Sequence, residues 1–122
     1  MIWESTVERK RIFAVHASPH LSMNRGIVLL DQYEEILSSE KEQWAHELEE
    51  YGLDVLVVGH THQVFAEVLG KTLVINPGST KFNHTCAILS LPDLEVRIVP
   101  LSGKTPRKVW HWGMMTREEL NT

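Results

Sequence analysis

The stretch that most constrains what this chain can fold into is residues 54–62, Asp-Val-Leu-Val-Val-Gly-His-Thr-His. Its apolar run, Val55 through Val58, has no polar interruption and three of its four residues are β-branched. A strand covered on one face alternates apolar and polar side chains, whereas an unbroken run is expected where both faces are buried. The run stops at Gly59, and His60 and His62 follow at once. Glycine permits a bend at that point. Two imidazoles one residue apart can therefore turn toward one place at the carboxyl end of a strand, where open α/β sheets hold their sites.

A His-x-His pair arises often by chance, and a loop histidine is ordinarily just solvated. Company gives this pair its meaning: His16 ends a second apolar run, residues 12–15. Two strand ends would then carry His16, His60 and His62 to one sheet edge as metal ligands. Imidazole donors of this kind suit zinc, nickel, manganese or iron, and spacing does not choose among them. His20 follows His16 across Pro19 and is a weaker candidate, while His46, His84 and His111 read as surface or packing residues. Glu34 and Glu35 read as part of a solvated acidic face rather than as ligands.

The rest of the chain supplies a small α/β frame. Residues 1–10 form an arm or a short strand, and residues 11–17 a buried strand broken by Ser18-Pro19. A loop follows, with a short apolar run at residues 27–30. Helical patterns cover residues 31–37 and 39–51, with Trp44, Leu48 and Tyr51 on one face. Ser39 with Glu42 fits a capping box, and Gly52 fits the residue after a helix end. Residues 64–69 and 72–75 flank Gly70-Lys71 as a β-hairpin. Asn76-Pro77-Gly78-Ser79 reads as a turn, and residues 85–91 and 94–101 as a second hairpin across Pro92-Asp93. From residue 102 the composition shifts to a polar tail bearing Trp110 and Trp112.

Composition excludes several classes. The 122 residues carry a formal net charge of −4, and Arg9-Lys10-Arg11, the nearest thing to a basic cluster, most simply solvates the entry of a strand. No nucleic-acid footprint is expected. No run approaches the roughly 20 apolar residues of a membrane helix, and the N-terminus is no secretory signal. The single cysteine, Cys86, lies in an apolar stretch, so it is expected to be buried, with no internal disulfide and a cytoplasmic, reducing setting.

Gly59-His60-Thr61-His62, then a hairpin, then Asn76-Pro77-Gly78-Ser79 resembles the calcineurin-like metallophosphoesterases, in particular their small bacterial and archaeal phosphodiesterase-like branch. The resemblance covers residues 11–101. It implies an α/β fold, the C-terminal half of a metallophosphoesterase-type αββα sandwich, mostly β with one or two helices. Residues 1–10 would be an N-terminal arm, 11–101 the half-domain and 102–122 a tail. By resemblance His16 and His60 would bind one metal ion and His62 a second, with Gly59, Asn76 and Gly78 as structural residues near the site. The family pattern has His-Gly where this chain has His16-Ala17.

The family's remaining ligands come from an Asp-x-His, a Gly-Asp and a Gly-Asn motif, and this chain contains none of them. Asn83-His84 follows Phe82 rather than glycine and comes after the histidine pair, so that role does not transfer. A two-metal mechanism needs both ions close together, one to activate water and both to stabilise phosphoryl oxygens. The expectation is therefore a phosphoesterase of phosphomonoesters or phosphodiesters that is inactive as a lone chain, with a weakly held divalent metal or none. Missing ligands would come from an N-terminal-half partner chain. An uncovered sheet edge predicts a homo-oligomer. The competing readings are a non-catalytic binding or scaffold protein of the same fold, and a symmetric oligomer with His16, His60, His62 and His20 at an interface metal site.

Overall fold

The computed structural model describes residues 2–16 and 26–110. The apolar run ahead of Gly59 becomes the middle strand of a five-stranded sheet because both of its faces are covered. In chain order the elements are β1 (Ile2–Val7), β2 (Lys10–Val15), α1 (Ser38–Leu48), a 3-10 turn (Glu49–Tyr51), β3 (Val55–Val57), β4 (Val64–Leu69), β5 (Thr72–Pro77), β6 (Thr85–Ser90) and β7 (Glu95–Pro100). The sheet order is β1-β2-β3-β5-β4, and β6 with β7 forms a separate two-stranded sheet. β2, β3 and β5 run parallel, while β1 and β4 are antiparallel to their neighbours.

Alternation along β3 sends its side chains into two different cores. Leu56 and Val58 face a cluster with Trp44 and Leu48 of α1, together with Ile27, Leu29, Phe65 and Val74. Val55 and Val57 face the other side, where Ile12, Leu73 and Ile75 pack beneath Ala87, Leu89 and Val96 of the β6–β7 hairpin. Burial on both faces removes the need for polar residues in the strand. Among the described residues no helix is long and apolar enough to cross a membrane.

Both expected hairpins form, the first with Leu69 opposite Thr72 across Gly70-Lys71 and the second with Ser90 opposite Glu95. The arm resolves as an edge strand over Ile2–Val7. Its connection to β2, Glu8-Arg9, has positive φ at both residues, 50° and 64°, the signature of a type I′ turn.

Four expectations are corrected. Residues 31–37 are not a helix: Asp31 Oδ1 accepts the N–H groups of Tyr33 and Glu35 at 2.8 and 3.0 Å, and Glu34 has φ 67°. A short acceptor that bonds its own backbone competes with a helical ladder, and Tyr33 is exposed. The capping box is absent, because α1 begins at Ser38 with Leu37 as its N-cap and no side-chain cap; Ser39 is already inside the first turn. Cys86 is exposed, since Thr85, Ala87 and Leu89 take the inward positions of β6 and Cys86 falls between them. Asn76 and Pro77, expected in a turn, are the last residues of β5, still paired with Phe65 and Val64.

In the apolar run at residues 27–30, Ile27, Leu29 and Leu30 are buried and Val28 is exposed, without the run being a strand. One side chain satisfies much of its backbone: Gln63 Oε1 accepts the N–H groups of Leu29 and Leu30 at 3.0 and 3.1 Å, and its Nε2 donates to the Leu30 carbonyl at 2.8 Å, while the Leu29 carbonyl accepts the Leu37 N–H at 2.7 Å. A buried segment with no ladder must find such partners. Trp112, His20, His111 and the Ser18-Pro19 break lie outside the described residues.

Candidate metal centre

Parallel pairing places the carboxyl ends of β2 and β3 at the same sheet edge, with Ala14 opposite Val57. His16 follows β2 directly and His60 comes three residues after β3. The Gly59 N–H donates to the His16 carbonyl at 2.9 Å, and a Cβ at Gly59 would stand 3.4 Å from that oxygen. This close approach locks the two strand ends together. Their imidazoles meet, His60 Nδ1 lying 3.2 Å from His16 Nε2 with ring centroids 5.0 Å apart at 65°. Both side chains are exposed, so the pair opens to solvent.

The turn that carries His60 and His62 is strained. Both residues have positive φ, 69° and 54°, in a region that costs a non-glycine residue about 1–2 kcal/mol. Side-chain bonds hold it there. Thr61 between them donates from Oγ1 to the Ile27 carbonyl at 3.2 Å and accepts from Asn76 Nδ2 at 3.1 Å. Asn76 Oδ1 in turn accepts the Gly78 N–H at 3.0 Å. Gly78 has φ 76°, and a Cβ there would lie 2.6 Å from both Thr85 Oγ1 and Val64 Cγ2, so only glycine fits. Asn76 and Gly78 therefore act on the histidine turn through backbone and hydroxyl contacts.

His62 stands apart from the pair. Its ring packs on Phe82 at 4.7 Å and edge-on to Trp110 at 5.2 Å, and those two rings stack on each other at 4.0 Å. Burial against this wall, then the nearby charges of His60 and His16, hold the His62 imidazole below its ordinary pKa. The neutral form so favoured is the one that can ligate a metal.

Sequence reasoning missed the residue that anchors His62. Asn83 is wholly buried, donates from Nδ2 to the carbonyls of His62 at 2.6 Å and Arg107 at 2.9 Å, and accepts the Ser79 N–H at 2.8 Å. An asparagine at the end of a turn carries no local mark of such a role; only the return of residues 107–110 beside it creates the partners. Gln63 and Phe82 were missed for the same reason. His46 is exposed and His84 bonds the Thr105 carbonyl at 2.9 Å. Glu34 and Glu35 remain exposed on the Asp31 turn. Among the described residues, no three His, Cys, Asp or Glu side chains gather in an arrangement able to hold a metal.

Comparison with known proteins places this geometry. The model of the calcineurin-like phosphoesterase superfamily domain matches residues 4–93. A comparison with curated protein sequences returns no match. Among solved structures, a hypothetical protein from Pyrococcus horikoshii is 22% identical with a TM-score of 0.63, the match covering 82% of this chain and 39% of that one. A structure described as a novel archaeal phosphodiesterase is 23% identical with a TM-score of 0.50, covering 82% of this chain and 50% of that one. Both show the metallophosphoesterase-type fold, and the chain spans half or less of the length of each. Because the family model runs from β1 through the turn that follows β6, taking in both histidine-bearing strand ends, this chain belongs to the calcineurin-like phosphoesterase superfamily.

Proposed function

We propose that this chain supplies the histidine-bearing part of a divalent-metal centre for phosphoester hydrolysis. The observation that carries the reading is the 3.2 Å separation of His16 Nε2 and His60 Nδ1. Two nitrogen donors each about 2.0–2.1 Å from one ion at a tetrahedral angle stand about 3.3 Å apart. The pair thus fits one ion's imidazole ligands. His62, neutral and oriented by Phe82 and Trp110, would serve a second ion. Bound divalent metal would supply charge stabilisation for phosphoryl oxygens and an activated water.

The described residues do not fit a complete two-ion centre, since no third ligating group joins the pair. Carboxylates from another chain, such as one carrying the N-terminal half, would complete it. The substrate class is a phosphomonoester or phosphodiester, in keeping with the family and with the archaeal phosphodiesterase it resembles. The same lack of a third ligand favours the second reading, a non-catalytic binding protein of this fold.

Elemental analysis after manganese loading, with turnover of a generic phosphodiester on the same sample, tests both. Two metals per active unit with turnover lost in His60→Ala supports the hydrolase. One metal without turnover leaves the binding protein, and no metal at all ends the metal reading.

A further inference from the structure

We infer that the free edge of β1 pairs with β1 of a second copy of this chain, joining two five-stranded sheets into one across a two-fold axis at Ser5. Among the described residues β1 is the terminal strand of its sheet, and an open edge is a template for another strand. On it Trp3 is 51% exposed and Val7 42%, large for side chains in a strand that carries no proline. Both lie on the face shared with Ile12, through the pairs Trp3–Ala14, Ser5–Ile12 and Val7–Lys10. The β6–β7 hairpin covers Ile12 on that face and leaves Trp3 and Val7 to water.

The turn geometry dictates which backbone groups are available. A two-residue turn closes on a hydrogen-bonded pair, here Val7–Lys10, and such pairs alternate along an antiparallel ladder. Trp3, Ser5 and Val7 therefore spend their N–H and C=O groups on β2. Those of Ile2, Glu4 and Thr6 point outward. A second antiparallel β1 must match outward residues to outward residues, which leaves four two-fold registers, centred on Trp3, Glu4, Ser5 or Thr6.

Centring on Glu4 sets Glu4 opposite Glu4 of the partner subunit, a like-charge pair that destabilises a ladder. Centring on Thr6 leaves Trp3 against the turn at Arg9, and centring on Trp3 pairs only residues 2–4 and leaves Val7 of each copy uncovered. Centring on Ser5 matches Glu4 with Thr6 of the partner subunit twice, with no like charges opposed. It also sets Trp3 against Val7 of the partner subunit twice, as non-hydrogen-bonded pairs whose side chains come closest. Aromatic against β-branched is a favourable cross-strand pairing. The one register with satisfied backbone groups, no opposed charges and both exposed apolar residues covered is thus self-complementary. The interface lies on the opposite side of β2 from β3 and does not depend on whether the histidines bind metal.

The register makes a covalent test available. Ser5 would face itself at a Cα separation of about 4.5 Å, within disulfide reach. In a Cys86→Ser background, which removes the native exposed thiol, Ser5→Cys is expected to give a covalent dimer on mild oxidation, and Thr6→Cys is not. Analytical ultracentrifugation should find the unmodified chain at twice the monomer mass. Thr6→Pro should convert it to a folded monomer whose melting temperature no longer depends on protein concentration, because the Thr6 N–H points away from β2 and the β1–β2 ladder is kept. A monomeric unmodified chain, or a Ser5→Cys variant that does not bridge, overturns the inference. Should the proline variant fail to fold, the cysteine pair decides alone.

Discussion

Asn83, with no exposed surface, donates a 2.6 Å hydrogen bond from Nδ2 to the carbonyl oxygen of His62. The bond fixes the backbone of a residue held at φ 54° and links it to the segment that brings in Trp110. Asn83→Ala would leave the His62 and Arg107 carbonyls and the Ser79 N–H without this partner. A buried group so orphaned costs about 1–3 kcal/mol. Urea denaturation should show a loss of about 2–4 kcal/mol, and Asn83→Asp should do no better, because it sets a carboxylate against two carbonyls.

Gly78 and Gly52 both have positive φ, 76° and 59°, but differ in surroundings. A Cβ at Gly52 meets nothing within 4 Å, whereas one at Gly78 collides with Thr85, Val64 and Asn83. Gly52→Ala should cost about 1–2 kcal/mol, the backbone cost alone. Gly78→Ala should cost more, through added overpacking of about 1–3 kcal/mol. Equal losses in paired denaturation curves would refute the steric part of this account.

His16→Ala and His60→Ala should weaken metal binding equally, because one ion would need both nitrogens. The loss should exceed the 10–100-fold typical of removing a supporting residue. Calorimetric titration with manganese or zinc measures it. Phe82→Leu, which leaves all three imidazoles in place, should weaken binding by less.

His62 makes metal-free stability depend on pH. Its imidazole is held below the ordinary value of about 6.5 by burial and by His60 and His16. Between the folded and unfolded values the unfolded chain binds more protons, so stability rises with pH across that window. It is fully present above about pH 6.5 and is lost as the pH falls toward the folded value. Denaturation midpoints in chelator should drop from pH 7.5 to 5 in the unmodified chain, conditions chosen to straddle about 6.5, and drop less in His62→Gln.

Much of the frame was legible locally. Val55–Val58 announced a doubly covered strand, Gly70-Lys71 and Pro92-Asp93 announced hairpins, and Trp44 with Leu48 announced a helix face, because each signal is a short-range pattern imposed by one backbone geometry. The Gly-His-Thr-His and Asn-Pro-Gly-Ser elements likewise pointed to the superfamily that the match over residues 4–93 establishes. Local patterns failed where a side chain outbid the backbone, as at Asp31, whose carboxylate turned an apparent helix into a turn.

Tertiary structure alone decided how the site is held. Parallel pairing of β2 with β3 is what sets His16 beside His60, 44 residues apart in sequence. Asn83, Gln63 and Phe82 acquired their roles only when distant segments returned beside them, since a polar or aromatic side chain carries no record of the partner it will meet. A strand's own residues determine that it will be buried. Which carbonyl a buried amide must satisfy depends on the whole fold, because hydrogen bonds are short and directional and their partners are brought together only by packing.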